Sequence, residues 1–392
     1  MEFFLGEGSH GIVHLDEGDN TANKLVEIIF DNGTVQYMPT GVVTEPCAMM
    51  RLRDCKVPNV VNILGCDLAP DGKSICIKME RLHEIPTGLL TEATGLLRKA
   101  IAQLFTAVAG MHDVGVYHGD IKPGNMMLDD KNDIKIIDFS LATIDDFTIH
   151  SSQCDDFYTI SYRAPEMLLG SRNSNREKTD VWAAGVSACE LMLGKKYVLR
   201  GNDWKEILSN TIREFGVSTS ARLMPKWNTF AESVDGKNLT CHGFLIKTVR
   251  FSLGDNAADF LSHACDPDAG SRWSALRLLD HPYIKDQVVR LIPIKEPQRI
   301  IIKGTRNSYV HELFKLHRNL EREIITGELL HTLGLLDRMS DDSIYTGAMN
   351  VCSAYLNELS MPRLYDLHGL DTILGNPETY SFLSKHLFVH WN

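Results

Sequence analysis

The sequence predicts an α+β chain in three units: a strand-rich first part, a helix-rich second part and an all-helical extension. Three observations carry this. Up to about residue 80, short β-like runs such as Lys24 to Phe30 and Ile75-Cys76-Ile77-Lys78-Met79 alternate with glycine and asparagine turns. From about residue 89 the period lengthens, and Leu96, Leu97, Ile101, Leu104, Phe105, Val108 and Met111 recur at helical spacing. The stretch Ile292-Pro293-Ile294-Lys295-Glu296-Pro297 cannot continue a helix, because proline lacks a donor and restricts its predecessor. The expected divisions are 1–82, 83–290, a linker at 291–308 and a last unit at 309–392.

The composition is that of an ordinary globular protein: 392 residues, 44% hydrophobic and 23% charged. The net charge of −11 offers no basic footprint, so no nucleic-acid partner is expected. Nine scattered cysteines without a CxxC pair read as reduced thiols of an intracellular protein, in cytoplasm or nucleus. Cys241-His242 and His263-x-Cys265 lack zinc-finger spacing and read as unrelated side chains. The acidic start Met1-Glu2-Phe3-Phe4 is not a signal peptide, and no apolar run reaches about 18 residues, so no membrane partner is expected.

The first chemical signal is Gly6-Glu7-Gly8-Ser9-His10-Gly11-Ile12-Val13. Glycines allow a hairpin to lie close over phosphates and to aim its amides at them. A dinucleotide-binding turn would lead straight into a helix. Here a strand-like Ile12-Val13-His14-Leu15 follows, which favours the hairpin. Next, Ala22-Asn23-Lys24 places a lysine on the following strand, where it can grip phosphate oxygens. Glu45 has Ala48, Met49 and Leu52 on its helical face and is the candidate carboxylate to orient Lys24; the other reading is a plain carboxylate at a helix start.

The third signal is Tyr117-His118-Gly119-Asp120-Ile121-Lys122-Pro123-Gly124-Asn125. Asp120 can take a proton from a hydroxyl, Lys122 can stand beside a transferring phosphoryl, and Asn125 offers a neutral oxygen to a hard cation. Then Ile136-Ile137-Asp138-Phe139-Ser140 ends a buried strand in an acid suited to chelation.

These strings resemble the catalytic loop and metal site of the protein kinase family. So do Tyr162-Arg163-Ala164-Pro165-Glu166, Asp180-Val181-Trp182 with Gly185, and Asp266-Pro267 with Ser271-Arg272. The resemblance covers about residues 1–288. It implies a bilobal kinase fold: an antiparallel N-lobe sheet with one helix, and a mainly helical C-lobe. It implies ATP and Mg²⁺ as cofactors, with Asn125 and Asp138 as metal ligands. The implied nucleotide contacts are Gly6, Glu7, Gly8, Gly11, Val13, Ala22 and Lys24, with Glu80 and Leu82 meeting the base through their backbone. Asp120, Lys122, Lys24 and Glu45 form the implied catalytic set. Glu166 and Arg272 would form a buried ion pair, Asp180 would hold the catalytic-loop backbone, and Thr159 would line the substrate pocket.

Arg163 and the run from Trp204 to Thr219 are similar to the cyclin-dependent kinase group, which implies a Ser/Thr protein substrate, with a proline-directed preference. Two regulatory positions depart from the family: Gly119 stands in place of an arginine, and Ser140 in place of a glycine. Without that arginine, and with Asp145, Asp146, Asp155 and Asp156 in the segment, activity is expected not to need a phosphate there. The stretch Glu328 to Ser340, and Ala348 to Leu356 after it, resembles a cyclin box. That resemblance implies an activator within the same chain, with a separate cyclin as the other candidate partner. It also implies a fusion suited to a large DNA virus or a protist, a viral protein acting in a host cell being one of these two readings. A generic helical extension that recruits substrate is the alternative for the tail. A pseudokinase scaffold is the alternative for the whole chain.

Overall fold

The computed structural model describes residues 2–8, 11–16, 18–27, 29–31, 34–37, 41–68, 74–86, 89–92, 94–145, 160–171, 174–233 and 240–288. Thr159, Asp146, Asp155, Asp156, the linker and the cyclin-box-like stretch lie outside the described residues.

The first unit contains β1 (Glu2–Gly8), β2 (Gly11–Asp16), β3 (Thr21–Glu27), β4 (Ile29–Asp31), β5 (Thr34–Tyr37), α1 (Gly41–Asp54), β6 (Ile63–Leu68) and β7 (Ser74–Glu80). Five strands form one antiparallel sheet in the order β1-β2-β3-β7-β6. The run expected as one strand from Lys24 to Phe30 is divided, because β4 leaves this sheet to pair with β5. Alternation along β3 puts Ala22, Lys24 and Val26 on the buried side. The register then sets Val13, Lys24 and Ile77 in one row across the sheet, with Leu15, Ala22 and Met79 in the next. Helix α1 covers this face with Ala48, Met49 and Leu52, all fully buried. The helix begins at Gly41, so Glu45 lies within it on the core stripe, not at its opening.

The second unit is helical: α2 (Leu89–Glu92) and α3 (Thr94–Asp113) precede β8 (Val116–Tyr117), β9 (Met126–Leu128), β10 (Ile134–Ile136) and β11 (Thr143–Ile144). Then follow α4 (Pro165–Leu168), α5 (Arg176–Leu193), α6 (Trp204–Phe215), α7 (Trp227–Ser233), α8 (Phe244–Leu253), α9 (Asp255–Ala264) and α10 (Ala275–Leu279). Helix α5 is buried on nearly every side, so it is the axle of this unit. Asn175 caps its first turn, accepting from the Lys178 amide, and Gly194 at φ 60 closes its last. Phe105 of α3 meets Phe260 of α9 edge-on at 5.1 Å. Burying such a side chain contributes roughly 1.5–3 kcal/mol. Among the described residues no helix is long and apolar enough to cross a membrane.

Candidate active site

The two short ladders, β9–β10 and β8–β11, frame the candidate residues. Between β8 and β9 the chain forms a loop from His118 to Asn125, and between β10 and β11 it passes Asp138. The loop is shaped by α5. Asp180 accepts from the amides of His118 (2.8 Å) and Gly119 (2.9 Å), and His112 Nε2 lies 3.1 Å from its carboxylate. Burial would raise the Asp180 carboxyl, but these neighbours hold it below the usual range. Gly119 sits at φ 78, a conformation that glycine adopts without the strain a side chain would bring.

His118 is fully buried and joins the two segments. Its Nδ1 accepts from the Asp120 amide at 3.2 Å, so the proton sits on Nε2, which donates to the Ile137 carbonyl at 3.0 Å. Its ring packs on Phe139 with centroids 4.9 Å apart. The Ile137 amide in turn donates to the Asn125 carbonyl at 3.0 Å. The loop and the Asp138 strand are therefore locked side by side.

At the centre of the loop, Lys122 donates to the Asp120 carboxylate. The Asn125 amide nitrogen donates to the Asp120 carbonyl (2.8 Å) and carboxylate (3.1 Å). That commits the NH₂ end of Asn125 and leaves its oxygen as the end suited to a cation. Asp138 adopts φ 63, unusual for a residue with a side chain. Burial would raise its carboxyl, but the Lys24 ammonium beside it, with a Ser140 hydrogen bond, holds it far below the usual carboxylate range.

Lys24 bridges the two units. It donates to both carboxylate oxygens of Glu45 (2.8 Å each) and to Asp138 Oδ1 (2.9 Å). Burial alone would lower the Lys24 ammonium, yet the two carboxylates outweigh it and keep the group charged. Glu45 is 1% exposed and also accepts from the Phe139 backbone.

The structure thus brings Lys24, Glu45 and Asp138 into direct contact, and Asp120, Lys122 and Asn125 into a second cluster joined to the first through Ile137. Gly6 and Gly8 lie on β1, and Gly11 and Val13 on β2, with Gly8 paired to Gly11 at the hairpin end and Glu7 paired to Ile12. Val13 pairs with Lys24, and Ala22 with Met79, so the hairpin adjoins the lysine. Glu80 ends β7; its carboxylate accepts from the Asn62 amide (2.8 Å) and faces Lys135 (3.2 Å), and Leu82 follows as a buried side chain.

For a hard cation such as Mg²⁺, one amide oxygen and one carboxylate are a fitting protein share, since that ion keeps phosphate and water in its other positions. Among the described residues no group of three or more His, Cys, Asp or Glu is gathered to hold a metal. His263, half of one cysteine–histidine pair, stacks on Trp273 at 3.9 Å.

The supporting residues also appear. Arg272 is fully buried and donates to Glu166 at 2.9 and 3.1 Å, with its guanidinium 5.0 Å from the Trp182 ring centroid. Sequence reasoning gave no role to His118, His112 or the Tyr162–Glu190 hydrogen bond of 3.0 Å. His118 could have been found from its place beside Asp120; the other two contacts join residues far apart in the chain and leave no local signal.

Comparison with known proteins agrees with this geometry. The profile of the protein kinase domain matches residues 2–284. A cell division control protein 2 homolog 3 from Trypanosoma brucei brucei is 28% identical over 297 residues, covering 72% of this chain and 90% of that protein. The serine/threonine-protein kinase ppk23 of Schizosaccharomyces pombe (strain 972 / ATCC 24843) is 29% identical over 294 residues, covering 71% and 70%. With its cleft residues in contact and its profile match running through both units, the chain belongs to the protein kinase family.

Proposed function

We propose that the chain is an active serine/threonine-protein kinase of cyclin-dependent-kinase-like type, moving the γ-phosphoryl of ATP to a protein hydroxyl. The observation that carries this reading is the meeting of Lys24, Glu45 and Asp138 beside a complete Asp120–Lys122–Asn125 loop. A scaffold that only binds nucleotide has no need of both clusters.

Each residue then has a task. Lys24, aligned by Glu45, holds the α- and β-phosphates. The hairpin of Gly6, Gly8 and Gly11 presents backbone amides above them, and Val13 and Ala22 flank the base, which meets the backbone of Glu80 and Leu82. Asp120 accepts the proton of the substrate hydroxyl as the new O–P bond forms and the bond from the γ-phosphorus to the β,γ-bridging oxygen breaks, ADP leaving, and Lys122 balances charge on the transferring group. Asn125 and Asp138 would hold magnesium, which would supply positive charge to the phosphates.

The substrate is a Ser/Thr protein, with the proline-directed preference of the group as the finer proposal. The region 309–392 is proposed to act in cis as a cyclin-like activator, favoured by the Glu328 to Ser340 stretch. A tether raises the partner's effective concentration to about the millimolar range. Phosphorylation of a generic peptide by the phosphatase-treated full chain tests the core reading. Turnover supports it; nucleotide binding with no transfer under any Mg²⁺ concentration assigns the chain to the scaffolds. The same peptide assay on residues 1–300 tests the tail: a large loss supports activation in cis, and an unchanged rate removes it.

A further inference from the structure

A separate cluster ties α1 to the chain that follows Asp138. β8 and β11 pair antiparallel, with Thr143 opposite Tyr117 and Ile144 opposite Val116. The next residue, Asp145, is held at three points. Its amide donates to the Gly115 carbonyl at 2.7 Å, its carboxylate accepts from the Tyr117 hydroxyl at 2.8 Å, and its carbonyl accepts from Arg51 at 3.3 Å. Arg51 belongs to α1, the helix that carries Glu45, and lies beside the buried Leu52.

The surroundings are built for this contact. Gly115 sits at φ 67, and a Cβ there would stand 3.0 Å from the Asp145 side chain, so any other residue would strain the turn and crowd the contact. The Tyr117 ring lies 5.5 Å from the His112 ring, and the Arg176 guanidinium stands 5.9 Å from its centroid. Burial, with the Asp145 bond next, pushes the Tyr117 hydroxyl up to about 12, so it remains a donor across the neutral range.

We infer that Asp145 and Tyr117 are positioning residues for phosphoryl transfer: through Arg51 they hold α1, and with it Glu45, in register with Lys24, with no phosphate on the segment. The inference rests on the reading that the Lys24–Glu45 contact supports transfer. Two polar side chains and a backbone turn do here what an added phosphate and an arginine at position 119 would otherwise do.

The test uses the full chain after phosphatase treatment, with peptide turnover and the Kd of a fluorescent ATP analogue as readouts. Y117F and D145A are expected to lower kcat/KM for ATP about threefold to tenfold, the scale of one hydrogen bond. D145N keeps an acceptor for the Tyr117 hydroxyl and is expected to stay within about twofold of the parent. In an E45Q background, Y117F should have no further effect, because its influence runs through Glu45. Parent-like values in both Y117F and D145A, or a full additional loss in E45Q, overturn the inference. An inactive parent whose Kd still rises in Y117F and D145A, and recovers in D145N, refutes the catalytic reading and leaves the positioning role standing. An unchanged Kd in an inactive parent refutes both.

Discussion

Replacing Glu45 by Gln is the sharpest test of how the two units cooperate. The carboxylate is 1% exposed and takes two 2.8 Å hydrogen bonds from Lys24. Glutamine has nearly the same shape but one neutral acceptor, so the variant loses charge while keeping volume. A hydrogen bond to a charged group contributes about 1.5–3 kcal/mol. Breaking a buried ion pair outright costs about 3–5 kcal/mol, but Lys24 retains Asp138 at 2.9 Å, so the lower range applies. At about 1.4 kcal/mol per tenfold, transfer should fall about 10- to 150-fold. Lys24 will still be present and charged, yet it will turn toward Asp138 and away from its phosphate-binding pose. The loss should therefore show in KM for ATP as well as in kcat, because the lysine's grip on the phosphates serves the ground state and the transition state alike. Steady-state peptide phosphorylation, with circular dichroism to verify folding, is the assay. Activity of E45Q within twofold of the parent would refute the reasoning.

Three further outcomes follow from the geometry. D138N, or chelation of Mg²⁺ in the parent, should abolish transfer while leaving the melting curve of the nucleotide-free protein near its original position; transfer at the original rate in D138N removes the metal assignment. R272A strands the buried Glu166 carboxylate and should destabilise by about 3–5 kcal/mol, with the double variant E166A/R272A losing less than the sum of the singles in urea unfolding; strict additivity would contradict it. The third concerns pH. Asp180 has a lowered carboxyl in the folded chain, so its contribution is fully present above the ordinary aspartate value of about 3.9 and is lost as pH falls below it. D180N should therefore be less stable at pH 7 and show a shallower decline on acidification than the parent; parallel curves would sink this.

The parts legible in the sequence are those where chemistry is written in consecutive residues. The loop from His118 to Asn125 sits between two short strands and offers Asp120, Lys122 and Asn125 together, because a carboxylate, a cation and an amide are all needed within one hydrogen-bond radius. The Lys24–Glu45 contact was legible in two local patterns: Ala22-Asn23-Lys24 on the strand after the glycine hairpin marked the lysine, and helical spacing put Glu45 on the stripe of Ala48, Met49 and Leu52. Gly41 and Pro46 are poor helix signals, so the sequence does not announce a helix start at Gly41, whereas packing against the sheet sustains the helix through both. The contacts of His112 with Asp180 and of Tyr162 with Glu190 were not legible, since each depends on how α5 crosses its neighbours. Asp145 looked like one member of an acidic run; only the Gly115 turn and the Tyr117 hydroxyl give it a separate role.

The departures from the family pattern form one physical argument. An arginine at position 119 is useful when a phosphate arrives, and Gly119 removes that use while easing a left-handed turn whose amide must reach Asp180. A glycine at position 140 would loosen the chain after Asp138; the serine there is buried and hydrogen-bonds the Asp138 carboxylate. The first change gives up a contact that a phosphate would induce, and the second adds a built contact at Asp138. The helix carrying Glu45 gives up a backbone hydrogen bond, because Pro46 removes a donor within it. Side chains must then hold it: Lys24 at Glu45 and the Asp145 carbonyl at Arg51. On the proposed reading, a kinase assembled this way would rest near its working geometry, and the expected point of control is whatever presses on or releases α1, with no charge added to the segment.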